Sequence, residues 1–328
     1  MNNHTTLDKW GNTFLNLANQ GKTRWGVYLI GLFVIVCTWL FASIVFIALV
    51  FGGDFLSAKP GQEPMDGSRP FPDLIALCLT FLALIIGIWL AVCHLHRRPF
   101  LSLITPYPTI RWHRFWQGFK WQIAFIILSV IIEELIYPGT YVYTLDPDLF
   151  YKFAILVVIF IPFQAASEEF LFRGYLLQAL GHLSRNPIVL ILLNGLGFMA
   201  LHSANPEIEH GLPSWLAYFA WGAFLTLITL KDNGAELAIG IHISNNIFTG
   251  IFTNYEGSAL ATNTVFTAQE LHLWLSLFSY ILTAMVMYWI LFRNHIPEPL
   301  PQPHIENSEI DVSTPMTNET DVSNPKEQ

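Results

Sequence analysis

The sequence predicts an all-α fold, a polytopic membrane helix bundle with about eight transmembrane helices. Of 328 residues, 53% are hydrophobic and 12% charged, about half the ~25% charged share of ordinary globular domains. Mean hydropathy is +0.46. Apolar windows of about 20 residues, long enough to cross a hydrocarbon core, recur along the chain.

Taken in order, residues 1–24 form a polar N-terminal arm. The first apolar run, Gly26–Phe51, starts too late and runs too long for a cleaved signal peptide, so it reads as a retained helix. Leu74–His94 is the second span. Between it and the third, Trp116–Ile136, lies a basic, proline-punctuated and aromatic stretch. Its core, 95–116, reads as an interfacial loop on anionic headgroups or as an ordinary positive-inside loop. Phe150–Ala165, the short Pro187–Leu201, Pro213–Leu230, Ala235–Asn254 and Leu271–Phe292 complete the set. The domain reading is therefore an N-terminal transmembrane region over 25–149, a motif-bearing core over 150–255, and an outer loop with the last helix over 256–295. From residue 296 to 328 the chain turns acidic and proline-rich without apolar periodicity, the signature of a disordered tail.

Basic residues orient the bundle. Of the 16 Lys and Arg, all but Lys59, Arg69 and Lys152 fall in segments that lie inside if the N-terminus is inside. An excess of this kind puts both termini in the cytoplasm of an integral membrane protein, here expected in a bacterial cell membrane. The three cysteines (Cys37, Cys78, Cys93) sit within spans and form no metal-ligand pattern or extracellular disulfide framework. The expected partners are the lipid bilayer and a membrane-associated peptide or protein substrate, with no nucleic acid.

Ionisable residues inside spans are expensive, roughly 2.5–3.5 kcal/mol each on insertion scales, and so point to function. Ser167-Glu168-Glu169 with Arg173 is the first group. Glu169 and Arg173 are four apart on one helical face and compensate each other. Glu168 points elsewhere, about 140° from Arg173 at ~100° per residue, with no local cation. Phe198 and His202 share a face, as do His242 and Asn246. Each pair alone is weak: a histidine at a helix end is often interfacial, and polar groups in a bundle can simply join helices. Glu133-Glu134 is a second acidic pair, but it has no following basic residue and reads as interfacial.

EEFLFR (168–173), FMALH (198–202) and HISNN (242–246), in that order, resemble the EExxxR, FxxxH and HxxxN motifs of the CPBP family of intramembrane proteases, which includes the type II CAAX prenyl endopeptidases. The likeness covers residues of about 150 to 255. It implies an eight-helix bundle around a water-filled cavity, and an intramembrane endopeptidase that hydrolyses peptide bonds with a glutamate-activated water, in CAAX-type or other membrane-associated peptide processing. Carried over residue by residue, Glu168 is the general base and His202 positions the water. His242 and Asn246 donate to the oxyanion, with Glu169, Arg173 and Phe198 in support. No cofactor is expected. A zinc-dependent mechanism with the same residues stays open, although HExxH is absent. Two readings from other classes remain: a non-catalytic scaffold or immunity-like protein of the same fold, and a proton-coupled transporter, which the lack of repeat symmetry disfavours.

Overall fold

The computed structural model describes residues 10–52, 70–260 and 262–294. The expected tail over 296–328 lies outside the described residues, as do parts of the N-terminal arm and of the first outer loop. What is described is an all-α bundle with one small sheet. A short α1 (Asn12–Asn16) precedes α2 (Trp25–Phe51) and α3 (Pro70–Trp89), and α3 widens into a π turn over Leu90–His96. Then come α4 (Trp112–Ile136) and α5 (Pro147–Glu169), which widens into a second π turn over Phe170–Leu176 before the short α6 (Leu177–Leu180). Helices α7 (Pro187–Leu201), α8 (Leu212–Asp232), α9 (Glu236–Ile251) and α10 (Leu273–Phe292) follow.

Local chemistry sets the starts of the two helices that carry the first two motifs. Asp146 accepts from the backbone N–H groups of Asp148 and Leu149 with Pro147 at the first helical position, and Asn186 accepts from Ile188 N–H with Pro187 behind it. Both fit the preference for Asp or Asn at the cap and Pro just inside it.

Each of the eight expected spans has a helix, but only five segments are long and apolar enough to cross a membrane: Trp25–Phe51, Pro72–His96, Pro147–Leu180, Leu212–Asp232 and Leu273–Phe292. Five of the eight expected spans are thus long and apolar enough by themselves, among the described residues. Charge at both ends of α4, including Arg114, Lys120, Glu133 and Glu134, dilutes its hydropathy. Helix α7 has 15 residues, about 22 Å at ~1.5 Å per residue, against a core of ~30 Å. Helix α9, with 16 residues, is largely buried in protein and packs on α4, α5 and α8. A helix surrounded by other helices need not be apolar enough for lipid.

Helix α9 is the centre of the bundle because its neighbours can come close. A Cβ on Gly240 would meet Phe115 O at 2.1 Å, and one on Gly118 would meet Leu237 O at 2.5 Å. The α4–α9 crossing thus has near-backbone contact, as small residues allow in membrane bundles. Three short strands tie connections together: β1 (Tyr141–Tyr143), β2 (Thr253–Tyr255) and β3 (Phe266–Ala268), in the order β1-β3-β2, with β1 antiparallel and β2 parallel to β3. Glu134 accepts from Gly139 N–H at 2.7 Å and Tyr141 N–H at 3.0 Å, and Glu133 from Tyr141 Oη at 2.7 Å. This acidic pair fastens the end of α4 to the sheet.

Candidate active site

Five of the seven candidate residues are buried, and His202 and Asn246 are partly so. Arg173 Nη1 donates to Glu169 Oε1 at 3.1 Å, both side chains fully buried. Its Nη2 donates to the backbone oxygen of Gly222 at 3.2 Å, and the guanidinium lies 5.0 Å from the Phe198 ring centroid. The arginine thus joins α5, α7 and α8. Glu169 Oε1 also lies 2.7 Å from His242 Nδ1, a contact across 73 positions. The ion-paired carboxylate only accepts, so Nδ1 carries the proton.

Glu168 is placed differently. It lines a cavity of about 640 Å³ together with Phe198, His202, His242 and Asn246, whereas Glu169 and Arg173 stay behind the wall. Its Oε1 accepts from Gln164 Nε2 one helical turn back. Its Oε2 is buried without a hydrogen-bond partner and lies 3.5 Å from His202 Nε2, beyond a good hydrogen bond. His202 caps the C-terminus of α7. Its Nδ1 is 2.8 Å from Phe198 O, and a carbonyl oxygen only accepts, so Nδ1 is the donor. Nε2 is turned toward Glu168 and is an acceptor when the ring is neutral. Phe198 and Tyr218 hold the ring in a sandwich at centroid distances of 4.2 and 4.6 Å. Gly222 makes this possible, since a Cβ there would lie 2.6 Å from Phe198 Cβ.

Asn246 Nδ2 donates to Gln164 Oε1 at 2.8 Å. Gln164 therefore bridges Glu168 and Asn246, and motif reading missed it. Its position four residues before Glu168 was the one local signal available. Trp221, edge-on to His242 at 5.6 Å, and Tyr218 were also missed; both belong to an aromatic-rich helix with nothing to single them out. Much of the remaining wall is apolar, with Trp39, Leu77, Phe81, Leu84 and Leu277 among it.

No three His, Cys, Asp or Glu side chains are grouped to hold a metal ion among the described residues. Glu169 and His242 are turned toward each other, and His202 Nδ1 is committed to the backbone. These residues do not fit a zinc centre as arranged.

A Bacillus subtilis (strain 168) protein described as "Uncharacterized protein YyaK" is 35% identical over 193 residues, 58% of this chain. The match spans 64% of that relative's length. No solved structure matches. The family model for type II CAAX prenyl endopeptidase Rce1-like proteins matches residues 150–248. That stretch holds the three motifs and all seven candidate residues, so the likeness of this integral membrane protein to the family extends over residues 150–248.

Proposed function

We propose that this protein is an intramembrane endopeptidase in which Glu168 activates a water for attack on a peptide carbonyl. One observation carries the reading: Glu168 lines a large cavity, and its Oε2, buried and without a hydrogen-bond partner, faces His202 Nε2 at 3.5 Å. With the ring neutral both atoms are acceptors, and a small outward shift of either side chain lets one water direct an O–H to each.

With substrate in the cavity, this water attacks the carbonyl carbon while Glu168 takes its proton. A C–O bond forms, and the carbonyl π pair moves onto oxygen. The second N–H of Asn246 Nδ2 remains for that oxyanion, since its first is given to Gln164. His242 contributes through Nε2 when both ring nitrogens are protonated, with Glu169 as counter-charge to Nδ1. Donors of this type are worth roughly 2.7–4 kcal/mol each in the transition state. Glu168 then passes its proton to the amide nitrogen, the C–N bond breaks, and a carboxylic acid and an amine leave. The apolar wall suits a substrate presented from the membrane, and the family likeness supports a prenylated CAAX peptide as the first to try.

The test is cleavage of a fluorogenic farnesylated CAAX peptide, and of its unprenylated twin, by the purified protein in nanodiscs. The Glu168→Gln variant is expected to lose activity by at least about 10³-fold, because an amide cannot take the proton. Full activity in that variant would sink the mechanism.

A further inference from the structure

We propose that Gln164, Asn245 and Gln122 are positioning residues, and that with Asn246 they form a one-way amide chain that fixes which oxygen of Glu168 is free. This rests on Glu168 being the base proposed above. The chain crosses three helices. Gln122 Nε2 on α4 lies 3.1 Å from Asn245 Oδ1 on α9. Asn245 Nδ2 lies 3.1 Å from Asn246 Oδ1, Asn246 Nδ2 lies 2.8 Å from Gln164 Oε1 on α5, and Gln164 Nε2 reaches Glu168 Oε1.

The direction of the chain follows from its end. An ionised carboxylate only accepts, so Gln164 must present its NH₂ to Glu168 and its oxygen to Asn246. Asn246 must then present its NH₂ to Gln164 and its oxygen to Asn245. The same choice passes to Asn245 and finally to Gln122. No amide can flip alone without setting two acceptors or two donors face to face. Every N–H in the row therefore points toward Glu168, and successive amide dipoles reinforce one another. Glu168 Oε1 is held by a donor that cannot turn away, while Oε2 is left facing His202.

The far end sits in a separate place. Gln122 lines a second cavity of about 320 Å³, and Asn245 borders both this cavity and the larger one. The row therefore runs from the lining of one cavity to that of the other. Its function is to keep Glu168 ionised in one rotamer before substrate arrives. Charged and titratable groups facing Glu168 are His202 from the end of α7, His242 from α9, Tyr218 from α8, and Glu169 with Arg173 on its own helix. None of them supplies a donor to Oε1.

The test reads the carboxylate itself by infrared pH-difference titration of the full-length protein in nanodiscs, with Glu168→Gln assigning the Glu168 band. Gln164→Leu is expected to move the midpoint up by about one pH unit or more, as loss of a hydrogen bond to a charged acceptor implies. Gln122→Leu, at the far end and less prone to disturb α5, is expected to move it the same way by a few tenths of a unit. In peptidase assays both variants should lower kcat with KM held within about two-fold, by about 10–100-fold for Gln164→Leu. Unchanged midpoints in both folded variants overturn the chain. An absence of hydrolysis by the unaltered protein instead removes the endopeptidase reading, through a separate arm of the experiment.

Discussion

Glu169 accepts from Arg173 and faces His242 through the same oxygen, Oε1, and no water reaches the Arg173–Glu169 pair. Removing one partner of a buried ion pair strands the other charge, at a cost of about 3–5 kcal/mol. Arg173→Met should therefore lower thermal stability in detergent by an amount of that order, read as a large fall in unfolding temperature. Arg173→Lys should recover only part of it, since a single ammonium cannot serve Glu169 and Gly222 O with the geometry of a planar fork. The pairing of Glu169 with Arg173 was legible in the sequence, because a four-residue spacing is a local fact that a helix enforces. The contact of His242 with Glu169 was not, because a bundle has to fold before residues 73 apart can meet. The amide row was illegible for a further reason: Gln and Asn carry no charge to advertise a partner, and its links join residues up to 123 apart.

Among the elements, α9 is the one on which the site depends. It carries His242 and Asn246 and meets α4 through Gly118 and Gly240 with no room for a side chain. Gly240→Leu would force the two helices apart. Overpacking typically costs about 1–3 kcal/mol, and the obstructing atoms here are backbone rather than a movable side chain. The expected result is a protein that inserts but unfolds at lower temperature and loses the proposed peptidase activity together with it. Gly26→Leu serves as the control, since a Cβ there meets nothing within 4 Å. The same helix explains why an apolar window in the sequence need not face lipid. Apolar windows register burial without distinguishing lipid from protein, and α9 is buried by α4, α5 and α8.

Over the whole molecule, apolar surface is turned outward. Leu29, Phe33, Phe41 and Leu49 on α2 are each about two-thirds exposed or more, which a bilayer covers and water does not tolerate on this scale. Polar chemistry is gathered inward and toward one end. Arg111 just before α4 donates to Asp232 and Glu236 at 2.9 and 2.7 Å. Burial works against its charge, but hydrogen bonding to Glu236 and the charges of Asp232 and Glu236 outweigh that and hold the guanidinium above its usual value. This cluster joins α4 to the α8–α9 turn and so fixes the depth of α9. The arrangement of the cavity residues also predicts how the proposed hydrolysis responds to chelators. Dialysis against EDTA should leave the rate within about two-fold, because His242 and Glu169 are committed to each other and no three ligand side chains are grouped among the described residues; a loss that Zn²⁺ restores would reverse this. The all-α class was readable from composition, and the family likeness over residues 150–248 from three short strings. Cavities were not, because a void is made by residues from many segments at once.

The π turn over Phe170–Leu176 has a consequence for comparing related chains. A turn closed from residue i to i+5 holds one residue more than an ordinary helical turn. Between Glu169 and Leu177 the chain is thus an α-helix with a single-residue insertion absorbed in place. A homologue with a one-position gap here would regain uniform pitch while its glutamate pair and the residue matching Gln178 kept their faces. Such a gap in an alignment would mark a change of helical pitch, with the glutamates still directed as they are in this chain.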